Sequence, residues 1–360
     1  MPMKRTFIVI LLLTAVVGFV PATALADETI DLNALYEQID EAILQSEQYI
    51  AERESQITAC QDRLTGEESA EERIKIIEDL FYLYQPYKNE LALYYAQLCI
   101  SLADSIHRPD ISGRFRSLLA YQCSNCNMYS ESLDQLSKVN KSALDQAGLV
   151  DYYNAWMHVY GELGALTQIK DMRQYYFDLQ NLYRDSVMMV AKEGSEDWLH
   201  LKMDILSARQ SFQDALSISN QWIKDVSPDT HESAFAAFYR SMVYDKLQNH
   251  DQKCYWLGKS ALADIRCAVM SQASLLFLAE QLANDGDITR ARRYMEFTRD
   301  CNMVFCSRVR IYQIDPYINI LEKRCQAAEA KADRTLIIAA VVIALILIVL
   351  FVINRKKKLK

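Results

Sequence analysis

The sequence predicts an all-α protein: antiparallel helix pairs stacked as an α-solenoid, followed by a single C-terminal transmembrane helix. Three observations carry this. Turn-forming residues are scarce, with 9 glycines and 6 prolines in 360 residues, too few for the tight turns of an all-β fold. Apolar residues recur every three to four positions through the interior of the chain, the period of an amphipathic helix. Two uninterrupted apolar runs stand near the ends.

The first run is targeting rather than fold. Lys4 and Arg5, the apolar stretch Phe7 to Val20, and Ala24-Leu25-Ala26 form a charged n-region, an h-region and an A-x-A cleavage site. Residues 1–26 are therefore read as a signal peptide cleaved before Asp27, an uncleaved anchor being the alternative. The second run, Leu336 to Ile353, holds no charge. At about 1.5 Å per residue it reaches ~27 Å, the short end of what spans a bilayer core. A buried soluble helix is the alternative. Here every face is apolar, and Arg355, Lys356, Lys357, Lys358 and Lys360 follow. Such a basic flank is retained in the cytoplasm. The expected topology is single-pass in a bacterial inner membrane, with residues 27–335 exported to the periplasm, 336–353 spanning, and 354–360 a basic cytoplasmic tail.

The chain carries a net charge of −8, and both ends are basic, so the exported part is more acidic still. That repels nucleic acid and anionic lipid. The short basic tail suits anionic headgroups instead.

Within the exported part, residues 27–65 read as one long amphipathic helix through Leu35, Ile39, Ile43, Ile50, Ile57, Cys60 and Leu64. Ser46 and Arg53 interrupt the stripe, which favours packing on its own domain over a homodimeric coiled coil. Gly66 ends it, and Ser69 to Glu72 has the capping-box spacing of a new helix. Residues 66–308 then break at short intervals: at Pro86, Pro109, Asn125 to Asn127, Asn140 to Ser142, Gly194, Pro228, Asn249 and Gly286.

The segments between these breaks repeat in pairs. In LLFLAEQLANDGDITRARRYMEFTRD the small residues Ala279 and Ala291 allow close helix approach, and Gly286 allows the sharp turn. In GRFRSLLAYQCSNCNMYSESLDQLSKV, Ala120, Cys123, Asn127, Ser132 and Leu136 take the equivalent places. The stretches AFAAFYRSMVYDKLQNHDQKCYWLGKSALAD and EDLFYLYQPYKNELALYYAQLCISLADSI share the layout. This is tetratricopeptide-like (TPR-like) stacking; an irregular helical bundle is the alternative. Residues 309–335 close the domain, with Pro316 suited to the first turn of a helix that continues past Ala327 into the span.

The order of motifs resembles an uncharacterised Bacteroidota-type family of membrane proteins. The similar stretches are LYEQIDEAILQSEQYIAERESQI, YKNELALYYAQLCISLA, MYSESLDQL, ALADIRCAVMSQASLLFLAEQLANDGDITRARRYM and FCSRVRIYQIDPYINILEKRC. The resemblance implies a signal peptide, a TPR-like periplasmic region, one span, a cytoplasmic coiled coil and a regulator-like role. It implies a longer cytoplasmic part than Asn354 to Lys360, so the output region is expected to be missing from these residues.

Chemistry is sparse. There are nine cysteines, and an exported compartment permits disulfides. Cys123-Ser124-Asn125-Cys126 is a C-x-x-C, but it falls at a helix C-terminal end, where the dipole disfavours a thiolate. Buried thiols are the expected reading, a disulfide the alternative. Cys301 and Cys306 could bridge across a helix end. The five histidines show no ligand spacing, His107 and His250 are read as solvated turn residues, and Asp285 and Asp287 as turn residues bonding their own backbone. No catalytic, cofactor-binding or metal site is expected. The tyrosines of Tyr152 to Tyr183 are read as packing rather than as sugar platforms. If the solenoid binds something, repeat register places Arg114, Ser117, Tyr121 and Asn125 on its concave face. The expected function is a membrane-anchored periplasmic module that binds a protein or peptide as the sensory ectodomain of a regulator. The alternative is a scaffold that assembles envelope proteins without an output domain.

Overall fold

The computed structural model describes residues 30–305 and 310–358; the signal-peptide reading of residues 1–26 lies outside them. Every described element is helical. The order is α1 (Leu32–Leu44), α2 (Ser46–Gln61), α3 (Ala70–Tyr84), α4 (Asn89–Ser105), α5 (Pro109–Asn125), α6 (Tyr129–Ser137), a 3-10 turn (Lys141–Ala143), α7 (Gln146–Leu166) and α8 (Lys170–Val190). Then follow α9 (Glu196–Ala208), α10 (Phe212–Asp225), α11 (His231–Lys246), α12 (His250–Arg266), α13 (Ala273–Asp285), α14 (Ile288–Phe305) and α15 (Arg310–Lys358). The all-α, TPR-like reading is the structure's. Six successive pairs run from α3–α4 to α13–α14.

The capping box expected at Ser69 to Glu72 is formed. The Ser69 hydroxyl accepts from the Glu72 amide and the Glu72 carboxylate returns to the Ser69 amide. Asp145 and Ser195 cap α7 and α9 in the same way from one side. The turns share a less visible device. His107, Asn127, Gln210, Gln248 and Ala268 all lie at φ between +50° and +60°, and Gly286 at +93°. In each case the next amide reaches back to a carbonyl five residues earlier, as in Asn249 to Tyr244 at 3.0 Å and Asp287 to Leu282 at 2.9 Å. This is the Schellman closure, repeated at six helix ends.

Small buried residues set the pair spacing. Ala92, Ala96, Ala120, Ala279 and Ala291 are wholly inaccessible. Ser132, equally buried, donates to the Ala120 carbonyl across the α5–α6 pair at 2.8 Å. Phe81 and Phe115 meet edge to face at 5.7 Å where α3 packs on α5. The tyrosines of the α7–α8 pair stack on one another and on Trp156, although Tyr175 stays exposed.

The stretch expected as one long helix is two. It breaks at Gln45, whose φ of −94° and ψ of 3° leave the helical range. The break lets the halves serve different cores. Leu35 and Ile39 of α1 pack with Leu257 and Leu275 of the last repeats. Ile57 and Cys60 of α2 pack with Leu80 and Phe81 of the first repeat, in a cluster that also takes in Met270, Cys301 and Phe305. The two ends of the repeat array thus share a core.

The last helix begins at Arg310, so Pro316 falls inside it rather than in its first turn. Cys325 is buried against the last repeats, and Arg292 pairs with Glu329 at 2.8 Å. Beyond Leu336 the apolar side chains are exposed. Among the described residues one segment, Glu322–Arg355, is long and apolar enough to cross a membrane.

Candidate functional site

The expected site residues are all on α5, but the structure uses them differently. Arg114 donates to Asp151 of α7 and Glu78 of α3, each at 2.8 Å, and to the Tyr82 hydroxyl at 2.7 Å. It cross-links three repeats. Ser117 is a correction. It is fully buried and donates back to the Gly113 carbonyl at 3.0 Å, because α5 is flanked by α4, α6 and α7 and keeps little open surface. Tyr121 lies over the His158 ring, centroids 4.2 Å apart. Asn125 is half-buried and donates to Gln122 at 3.3 Å.

Burial raises the Tyr239 hydroxyl of α11, and Tyr121, three first helices back, adds a smaller push in the same direction. Such nearness fits a row of first helices, α5, α7, α9 and α11, that curls into a concave inner face, as stacked helix pairs do. Its acidic residues were not read from the sequence. Asn154 of α7 donates to Asp197 of α9 at 2.5 Å. Burial pushes the Asp151 carboxyl up to about 6 against the opposing pull of Arg114. Burial and the neighbouring Asp197 and Glu232 raise Glu196 to about 7. Burial raises Asp204 to about 6, Arg184 opposing. Water reaches Glu196 and Asp204 although protein walls surround them, as expected of groups lining a concavity.

Histidines complete the face. His231 Nδ1 lies 3.0 Å from Asp264 Oδ1. Burial works against its charge, but the hydrogen bond and charge of Asp264 prevail and raise its pKa. His200, buried beside Tyr239 with centroids 5.1 Å apart, is held toward its neutral form by desolvation. No sequence signal marks these residues, since their perturbation comes from the curl.

The two cysteines of the C-x-x-C part ways, only one being the buried thiol expected of both. Cys123 is free and buried, and desolvation pushes it up to about 12, which leaves it unreactive. Cys126 is disulfide-bonded, though not to Cys123. Cys301 is a free buried thiol, so the bridge it could have made to Cys306 does not form; Cys306 itself lies outside the described residues. His250 is no bare turn residue. It pairs with Asp285 at 2.7 Å and lies 3.6 Å from the Cys254 sulfur.

Helix pairs with small residues at their contacts, Schellman turns and a concave row of first helices define a tetratricopeptide-type repeat protein. The family described as the SusR N-terminal TPR domain matches residues 43–316, well over half of the chain, and the chain belongs to that family. No curated protein matches it.

Proposed function

We propose that residues 31–305 are the periplasmic, sensory ectodomain of a regulatory membrane protein, and that their inner face binds a cationic segment of a protein or peptide. One observation carries the reading: burial raises Asp151 of α7 and Glu196 and Asp204 of α9 toward neutrality, by more than the countercharge of Arg114 at Asp151 and of Arg184 at Asp204 offsets. An arriving lysine or arginine supplies further countercharge, so a basic ligand gains both Coulomb attraction and the release of strained protonation. Stacked helix pairs present such grooves to extended or helical peptides.

Other features support the rest. The disulfide at Cys126 suits an oxidising, exported compartment. The family is named for the N-terminal part of SusR, a Bacteroidota regulator, which suits a sensing rather than an output role. The unbroken helix α15 joins the last repeats to the candidate span, so a shift in repeat packing is passed to the membrane without an intervening hinge. The role is binding, without catalysis.

The test uses the full chain in detergent micelles and a fluorescent Lys/Arg-rich peptide, read by anisotropy near neutral pH. Wild type binds, salt weakens the complex, and the E196Q/D204N double variant loses affinity several-fold with unchanged helicity. Equal affinity in the double variant overturns the proposal.

A further inference from the structure

We propose that His250, Cys254 and Asp285 form a binding site for a zinc-like divalent ion, open to solvent on one side. Two residues share one face of α12 at the i, i+4 spacing, which brings side chains together on a helix. The third ends α13 in the following repeat. One donor atom from each lies within 4.8 Å of the others.

One donor separation already matches a tetrahedral ion and a second needs a small opening. Metal–sulfur and metal–nitrogen bonds of about 2.3 and 2.05 Å place those donors ~3.6 Å apart at the tetrahedral angle. The Cys254 sulfur stands 3.6 Å from His250 Nε2. The corresponding nitrogen–oxygen edge is ~3.3 Å, against 2.7 Å between His250 Nε2 and Asp285 Oδ2. Loading therefore requires the His250–Asp285 hydrogen bond to open by roughly half an ångström. Both side chains have room for this, being 45% and 46% exposed.

The donor set selects the ion. A thiolate, an imidazole and a carboxylate suit zinc, whereas calcium and magnesium take oxygen ligands. Thiolate and carboxylate together balance a 2+ charge. On binding, the Cys254 thiol loses its proton to solvent as the sulfur–metal bond forms, His250 presents the Nε2 lone pair, and water fills the fourth position. In the metal-free state burial holds the thiol neutral, raised to about 11.

The site has a supporting shell. The Tyr36 hydroxyl of α1 bonds to the Cys254 thiol, and Arg290 of α14 lies over the Tyr36 ring, 5.7 Å from its centroid. An ion here would tie the last two repeats to α1, beside the helix that runs to the span.

Cobalt(II) titration of the full chain in detergent micelles tests the proposal, because thiolate coordination gives a near-ultraviolet charge-transfer band and tetrahedral geometry an intense visible band. Both bands are expected at one equivalent and are displaced by zinc but not by calcium. C254S, with unchanged helicity, loses the charge-transfer band although the other described thiols remain. D285N, at an exposed helix end, keeps that band but weakens binding by more than about tenfold, since even outer-shell changes cost that much. No band at saturating cobalt, or the same band in C254S, overturns the site and leaves an ordinary His250–Asp285 ion pair.

Discussion

The amide of Met270 donates to the carbonyl of Pro86 at 2.8 Å, joining the turn after α12 to the turn between α3 and α4. Beside it, Arg53 of α2 donates to the Cys267 carbonyl at 2.7 Å. An open solenoid contacts only sequence neighbours; here the last repeats close on the first.

Arg53→Ala removes a charged donor from that closure. The expected loss is about 1.5–3 kcal/mol, read as a lower urea midpoint at unchanged m-value. Hydrogen exchange should quicken at α2 and at residues 267–270 together. Faster exchange at α2 alone would mean that the closure is not cooperative.

The repeated left-handed turns predict cheap stabilisation. A side chain at φ near +55° costs about 1–2 kcal/mol, partly offset by the greater unfolded-state entropy of glycine. Gln248→Gly and Gln210→Gly are each expected to stabilise by roughly 0.5–1 kcal/mol. Gly286→Ala is expected to cost about 1 kcal/mol. Thermal or urea unfolding of the three variants gives the signs directly.

Gly258 predicts how α1 docks. A Cβ built there would lie 2.7 Å from Leu35 Cδ2 and 3.4 Å from Ile39 Cδ1, both in the core shared by α1 and α12. Gly258→Val overpacks that contact at a cost of about 1–3 kcal/mol. Limited proteolysis should then cut near residues 44–46 before the repeats. Uniform resistance would mean that the contact absorbs the extra volume.

The inner face sets a pH dependence. Asp151, Glu196 and Asp204 sit at about 6, 7 and 6 in the folded chain, above the usual 4 or so of an unfolded carboxylate. Between those values the folded state binds more protons, so stability present at lower pH is lost as pH rises through the folded pKa values. His231, also raised, acts in the same direction; His200, lowered, opposes. Acidifying from about pH 7.5 to about pH 5.5 should raise the melting temperature. E196Q/D204N should be more stable than wild type at the higher pH and lose most of that advantage at the lower.

Much of this was legible in the residues, and the limits are physical. Ser69 with Glu72, Pro109, Asn127 and Gly286 are local signals, so the helix ends they mark could be read. The ends at Gln210 and Ala268 could not, because neither residue type signals a left-handed turn. The break at Gln45 follows from two cores pulling on one stretch. Repeat register placed Arg114 and Tyr121 near the inner face. It could not show that Ser117 is buried, nor that Glu196 of α9 lies near Glu232 and His231 of α11, since those neighbours come from another helix pair. His250 and Cys254 were within reach, being four apart in the sequence, but Asp285 joins them only through repeat stacking.

An exported ectodomain means that the repeats face outward, and protease added to intact spheroplasts measures that sidedness. Residues 31–305 should be digested while a fragment containing 336–353 stays with the membrane, and permeabilisation should add no further cleavage of the repeats. Repeats that stay intact until the membrane is permeabilised would contradict an exported ectodomain.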